Sequence, residues 1–249
     1  MPVFYLICRN YDLKTLKTVI MGILKLNERF TGAVTLTVTG LYFIACMIFF
    51  LPVEIDHKIT ICTSILTLAS LWLCPWQMTL ALLFSTLGDH FGSCNNFMAQ
   101  MGFFALGHIW FIIYFIDRYF KRVEKDRKLT GKAKGYLATV VFCAIALLVV
   151  AFTRIVPEVP PGIMKIGVCI YALLICTMLV SAMLQRSSIF ALGAILFVFS
   201  DFILAWNKFV EPVPGRHYLV LVSYFLAQWL LFVRATKFRI GPEMRLLRF

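Results

Sequence analysis

Residues 59–91 read ITICTSILTLASLWLCPWQMTLALLFSTLGDHF, and the way this stretch divides decides the fold. A membrane-crossing helix needs about 20 apolar residues. These 33 are too many for one ordinary span, and Pro75 stands at their middle. Proline removes a backbone donor and clashes with the preceding turn, so it breaks helices. The stretch is therefore expected to form two short helices, near 59–74 and 76–91. Six further spans are plainer: 31–51, 97–117, 135–153, 162–184, 188–207 and 217–234.

The charges favour the split. With eight helices and both termini on one side, 19 of the 24 Lys and Arg residues fall on that side. They lie in 9–29, in the loop 118–134, at Arg186 and in 234–248, and only Lys58, Arg154, Lys165, Lys208 and Arg216 are left for the other. Leaving 59–91 as one helix would put the eight-cation loop opposite the N-terminal cluster, against the positive-inside tendency. The expected architecture is all-α: a polytopic transmembrane bundle of eight helices with both termini cytoplasmic.

Composition agrees. The 249 residues are 61% hydrophobic, 15% aromatic and 14% charged, where a soluble domain carries about a quarter charged. The net charge of +12 reads as cytoplasmic-side positive charge rather than as a nucleic-acid surface. The eight cysteines are scattered without a CxxC pair, so neither disulfides nor a metal cluster is expected from spacing. Residues 1–30 form a basic segment. Within 10–30, Leu13, Leu16, Ile20, Ile23 and Leu24 share a face, which suits an interfacial helix or, equally, a solvated linker. The membrane domain is then 31–234, and 235–249 a basic tail.

Within this apolar chain, AILFVFSDFILAWNK (194–208) places Asp201 with no basic residue within six positions on either side. A carboxylate exposed to lipid is costly, so it must face a polar interior, stay protonated or do chemistry. Asp89 is its counterpart. Each lies 13 residues after the start of its helix, and the two helices run the same way, so both aspartates sit at one depth. ALLFSTLGD (81–89) and AILFVFSD (194–201) echo one another, a trace of a parallel four-plus-four repeat. Other polar groups fall near that layer. His217, Tyr224 and Gln228 are spaced 7 and 4 on one helix face, and His108 is set in FFALGHIWF. Asn207 and Lys208 close the seventh helix. Each has a plainer reading: His108, Tyr224 and Gln228 as interhelical glue, Lys208 as a snorkelling interface residue.

Two carboxylates in a low-dielectric site need not ionise together, and a shared proton can persist near neutral pH. That gives an acid and a base in one pocket, suited to cleaving acetal-like C–O bonds or to relaying protons in a transporter. The chain has no GxSxG, HExxH, P-loop or GxGxxG motif.

FSTLGD (84–89), FFALGH (103–108), LGAILFVFSDFILAWNKF (192–209), PVP (212–214) and SYFLAQ (223–228) stand in an order and spacing that resemble the YhhN family of membrane proteins. The resemblance covers most of 81–234, and 192–228 is its specific part. It implies eight helices, hydrolysis of the vinyl ether bond of lysoplasmalogens, and Asp89 and Asp201 as the catalytic pair, with no metal or organic cofactor. The NKF…PVP form is similar to animal members and implies an endoplasmic reticulum or other endomembrane location. The partners this implies are a lysophospholipid substrate and the membrane, with a homodimer left open and nucleic acid excluded. His108, Asn207, Lys208, His217, Tyr224 and Gln228 are the candidate substrate contacts. The chain departs from the family pattern in two places. Lys58 is not followed by proline until Pro75, and HFGSCNN (90–96) stands where relatives continue with apolar residues. A proton-coupled lipid or solute transporter and a catalytically silent lipid-binding protein are the competing readings.

The charge distribution sets a test of topology. Glycosylation tags inserted near residue 56 are expected to be modified and tags near residue 128 to remain bare. The reverse pattern would overturn the orientation.

Overall fold

A computed structural model describes residues 13–52, 55–123 and 131–236. Its eight α-helices are α1 (Leu13–Phe49), α2 (Lys58–Leu73), α3 (Trp76–Ser93), α4 (Phe97–Val123), α5 (Gly131–Val150), α6 (Ile163–Met183), α7 (Ser188–Phe209) and α8 (Arg216–Thr236). A π-helical turn at Ala151–Ile155 and a 3-10 turn at Val156–Glu158 extend α5. No strand occurs among the described residues.

The 59–91 stretch divides where the sequence says it must. Cys74 and Pro75 are extended, α2 ends at Leu73 and α3 begins at Trp76. Thr79 Oγ1 donates to the Ser70 carbonyl at 2.9 Å and closes the turn. The starts of α3 and α7 fall at Trp76 and Ser188, so Asp89 and Asp201 do stand equally far along their helices. α1 is one helix of 37 residues that passes through positions 30 and 31 without a break. Residues 10–12 of the expected interfacial helix and the tail from 237 lie outside the described residues.

Among the described residues, six helices are long and apolar enough to cross a membrane: those containing Phe30–Phe49, Phe97–Lys121, Lys134–Glu158, Ile163–Met183, Ser188–Phe209 and Arg216–Thr236. The chain is an integral membrane protein. α2 and α3, at 16 and 18 residues, reach about 24 and 27 Å at 1.5 Å per residue, short of a core about 30 Å thick. They are also more polar, with Thr63, Thr67, Ser70, Thr79, Ser85 and Thr86 buried between them and their neighbours. These small residues spend their hydroxyls locally or across the interface. Ser85 donates to the Ala81 carbonyl, and the Thr67 and Thr86 hydroxyls lie 2.8 Å apart across α2 and α3. Such contacts let helices approach where lipid offers no hydrophobic drive between them.

Sequential helices pack side by side from α1 to α4, α4 then meets α6, and α8 returns to pack on α1, α2, α3 and α7. Tyr42 on α1 donates to the Phe225 carbonyl on α8 at 2.9 Å, and Ser200 on α7 to the Val220 carbonyl on α8 at 3.0 Å. α5 lies outside this ring against α6 and exposes Phe142, Ile145 and Val149, the outward apolar surface a bilayer covers.

α3 and α4 are the closest pair, and two glycines permit it. A Cβ on Gly107 would lie 3.1 Å from Ser85 Oγ and 3.2 Å from the Ala81 carbonyl oxygen. A Cβ on Gly88, beside Asp89, would meet the Phe104 ring at 3.1 Å. Gly107→Ala is expected to push α3 off α4 and to cost about 1–3 kcal/mol, the usual price of overpacking. The melting temperature of the detergent-solubilised variant should fall below wild type; an unchanged value would contradict the close contact.

Candidate active site

Asp89 and Asp201 are both buried, and both line one cleft with about 610 Å³ of empty space. Ile59, Gln100, Phe104, Ser200, Leu204, Arg216, His217, Val220, Leu221 and Tyr224 complete its wall. Five helices supply these residues: α2, α3, α4, α7 and the first half of α8.

Each carboxylate is held by a tyrosine from another helix. Tyr224 on α8 donates to Asp89 Oδ2 at 2.8 Å, and Gln228, one turn on, donates from Nε2 to the Tyr224 oxygen at 3.0 Å. Asp89 Oδ1 makes no hydrogen bond among the described residues. On the other side, Tyr171 of α6 donates a short bond to Asp201 Oδ2. His108 of α4 brings Nε2 to 3.2 Å from the same oxygen and 3.1 Å from the Tyr171 hydroxyl. The Tyr171 proton is already committed to Asp201, so the network assigns the imidazole proton to Nε2 as the second donor. Aromatic rings wall the pair. His108 meets Phe197 edge-on at 4.8 Å, and Tyr224 meets Phe197 at 5.4 Å and Phe104 at 5.8 Å.

A second, smaller apolar pocket adjoins the first. Phe97, Met101, Val168, Ala205 and Phe209 line it, and Gln100, Phe104, Leu204 and Asp201 belong to both. Asp201 thus stands where a polar cleft meets an apolar one. At the polar end, Arg216 and His217 begin α8, whose Arg216 N–H donates to the Val213 carbonyl and whose Tyr218 and Leu219 N–H groups donate to the Gly215 carbonyl. The His217 ring stacks on Phe49 of α1 at 5.6 Å.

The candidates named from sequence divide into three groups. Asp89, Asp201, His217 and Tyr224 line the cleft, while His108 and Gln228 stand behind it and hold its carboxylates or their partners. Asn207 and Lys208 line neither cavity. Asn207 Oδ1 accepts the Val213 N–H at 3.1 Å and fastens the loop that leads into α8. Lys208 is exposed, with Nζ 5.4 Å from the centre of the Phe97 ring. Sequence reasoning missed Tyr171, Gln100 and Arg216 as site residues. Tyr171 sits in IGVCIYALLIC, where nothing but its hydroxyl marks it off from its apolar neighbours.

This fold and site define a polytopic membrane protein with two buried carboxylates facing a cleft that joins polar to apolar space. The chain belongs to the YhhN family, whose profile matches residues 57–235. Among curated proteins it is similar to Lysoplasmalogenase TMEM86B of Sus scrofa, 29% identical over 155 residues, 61% of this chain and 59% of that protein. It is also 35% identical over 74 residues to Lysoplasmalogenase TMEM86B of Homo sapiens, 30% of this chain and 32% of the relative. The protein of that name from Rattus norvegicus is 39% identical over 75 residues, 30% of this chain and 31% of the relative. The matches thus span between a third and three-fifths of these relatives. No solved structure matches the chain.

Proposed function

We propose that the protein hydrolyses the vinyl ether bond of lysoplasmalogens, with Asp89 as general acid and Asp201 as the carboxylate that stabilises the cation and activates water. One observation carries this reading: two buried aspartates face one cleft, and the second of them also borders an apolar pocket. The name lysoplasmalogenase carried by the relatives supports the substrate class.

The chemistry needs both groups. A vinyl ether resists direct attack by water, and its slow step is protonation of the outer alkenyl carbon. Asp89 suits the acid because Oδ1 makes no hydrogen bond among the described residues and can carry a proton toward substrate, while Tyr224 fixes Oδ2. Asp201 suits the base because two donors, Tyr171 and His108, converge on one of its oxygens and hold the group as an acceptor. Asp89 gives its proton to the outer carbon, the π pair forms the new C–H bond, and a lone pair of the ether oxygen stabilises the cation on the inner carbon as an oxocarbenium ion opposite Asp201. Water adds to the cationic carbon and loses a proton to Asp201, giving a hemiacetal. In the collapse Asp201 returns that proton to the leaving glyceryl oxygen, and Asp89 takes the hydroxyl proton. The C–O bond breaks, fatty aldehyde and glycerophosphocholine or glycerophosphoethanolamine depart, and both aspartates regain their starting states. The alkenyl chain lies in the apolar pocket, and Arg216 and His217 meet the phosphate at the mouth of the cleft.

Asp89→Asn and Asp201→Asn are each expected to lower aldehyde release from alkenyl-lysophosphatidylcholine by roughly 10²–10⁴-fold per folded molecule in detergent. The amide keeps the shape but neither donates the acid proton nor balances the cation. The double variant should be little worse than either single one, because the groups act as a unit. A variant that keeps more than about a tenth of wild-type turnover would remove that aspartate from the mechanism. No aldehyde from wild-type protein would favour a transporter or a silent lipid-binding protein.

Arg216→Ala should raise KM about tenfold or more with kcat little changed, the worth of one charge-assisted hydrogen bond to phosphate. An unchanged KM would place the head group elsewhere.

A further inference from the structure

The HFGSCNN stretch after Asp89 is not used by the mechanism above, and the fold gives it a partner. It closes α3 and turns the chain into α4. The Cys94 N–H donates to the His90 carbonyl at 3.1 Å, and the Asn96 N–H to the Phe91 carbonyl at 2.9 Å. Asn95 is left-handed, and Asn96 caps α4 by accepting the Ala99 N–H at 3.1 Å. The turn therefore holds His90 and Cys94 one helical turn apart on one face, with Cys94 Sγ 4.0 Å from His90 Nε2. Across from them stands His57, just ahead of α2. Its backbone is left-handed, with φ 56°, an uncommon state for a residue other than glycine. That conformation brings its ring to 4.8 Å from the His90 ring. Phe91 backs His90 edge-on at 5.5 Å and is itself stacked on Phe103 at 5.0 Å.

One ligand atom each from His57, His90 and Cys94 fall within 4.8 Å of one another. Tetrahedral zinc, with bonds of about 2.0–2.3 Å, sets its ligands about 3.5 Å apart. His90 and Cys94 are already close to that spacing, and His57 needs a shift of about 1 Å to complete the set. Two imidazoles and a thiolate are the donors this ion prefers. The residues are half-buried or exposed, so an ion can enter from solvent.

We propose that His57, His90 and Cys94 form a zinc site that staples the segment before α2 to the end of α3, with water as the fourth ligand. Binding displaces the Cys94 thiol proton to solvent and leaves both imidazoles neutral. The staple adjoins the cleft on both sides. Ile59, two residues after His57, and Asp89, one before His90, both line it. The ion fixes these two walls relative to each other. It takes no part in the hydrolysis, and the proposal does not depend on that reaction.

The test uses the full chain in detergent, stripped of metal and titrated with Zn²⁺ against a competing chelating dye. One Zn²⁺ per chain and a higher melting temperature are expected. His57→Asn and Cys94→Ser should each weaken binding by about 10–100-fold or more, whereas Cys143→Ser, at an exposed cysteine on α5, should leave it unchanged. Co²⁺ titrated into wild-type protein should give the visible absorption of a tetrahedral site and a thiolate charge-transfer band, a readout that requires no variant. Absence of binding, binding indifferent to the His57 and Cys94 changes, or a Co²⁺ spectrum without the thiolate band would each overturn the site.

Discussion

The structure is organised by the need to give two carboxyl groups hydrogen-bond donors inside an apolar bundle. A buried polar group left without a partner costs several kcal/mol, and an unpaired charge far more. No helix can meet that need for its own aspartate here. Asp201 on α7 takes its donors from α4 and α6, and Asp89 on α3 takes its donor from α8. Two small networks therefore fix five of the eight helices relative to one another. α1 and α2 are then drawn in through α8, where Tyr42 reaches the Phe225 carbonyl and α2 packs alongside. The small-residue contacts of α3 with α4 follow from the same demand. Gly88 and Gly107 allow α3 close enough to α4 for Asp89 and His108 to serve one neighbourhood.

The site also explains why α2 and α3 fall short as membrane spans. A helix that carries a carboxylate and a row of hydroxyls gives up hydropathy, and 16 to 18 residues give up length. Packed between α1, α4 and α8, these helices meet protein on much of their surface, and the buried hydroxyls of Thr63, Thr67, Ser70, Thr79, Ser85 and Thr86 find hydrogen-bond partners there. Hydropathy alone finds six spans, and proline and charge bias are needed to recover the other two helices.

Much of this was legible in the sequence because it rests on local rules. Pro75 divides α2 from α3, and the equal offsets of Asp89 and Asp201 follow from where α3 and α7 begin. The 7 and 4 spacing of His217, Tyr224 and Gln228 places them on one face, and that face does meet Asp89. What was not legible depends on tertiary position. Tyr171 lies in an apolar run, and only the packing of α6 against α4 and α7 turns its hydroxyl onto Asp201. Lys208 shares a helical face with Asp201, yet its long chain runs outward past Phe97 at the helix end, since periodicity fixes a direction and not a reach. The amphipathic pattern up to residue 30 does not show that the same helix runs on into the apolar stretch, as α1 does from Leu13 to Phe49.

The family profile begins at residue 57, so it spans every helix that supplies an aspartate or a donor and leaves α1 outside. α1 nonetheless shapes the mouth of the cleft. Phe49 stacks on His217, and Phe50 meets both His217 and Tyr218 at the start of α8. Trp229 on α8 donates to Thr39, about three turns below Phe49's end of α1, which ties the same two helices along their length. The groups that hold the carboxylates and the groups that frame the entrance thus belong to different parts of the chain. A change in α1 can alter the surroundings of Arg216 and His217 while the donors on Asp89 and Asp201 stay in place, because none of those donors comes from α1. The separation follows from geometry: the donors that hold the carboxylates come from α4, α6 and α8 deep in the bundle, while Arg216 and His217 at the start of α8 are exposed.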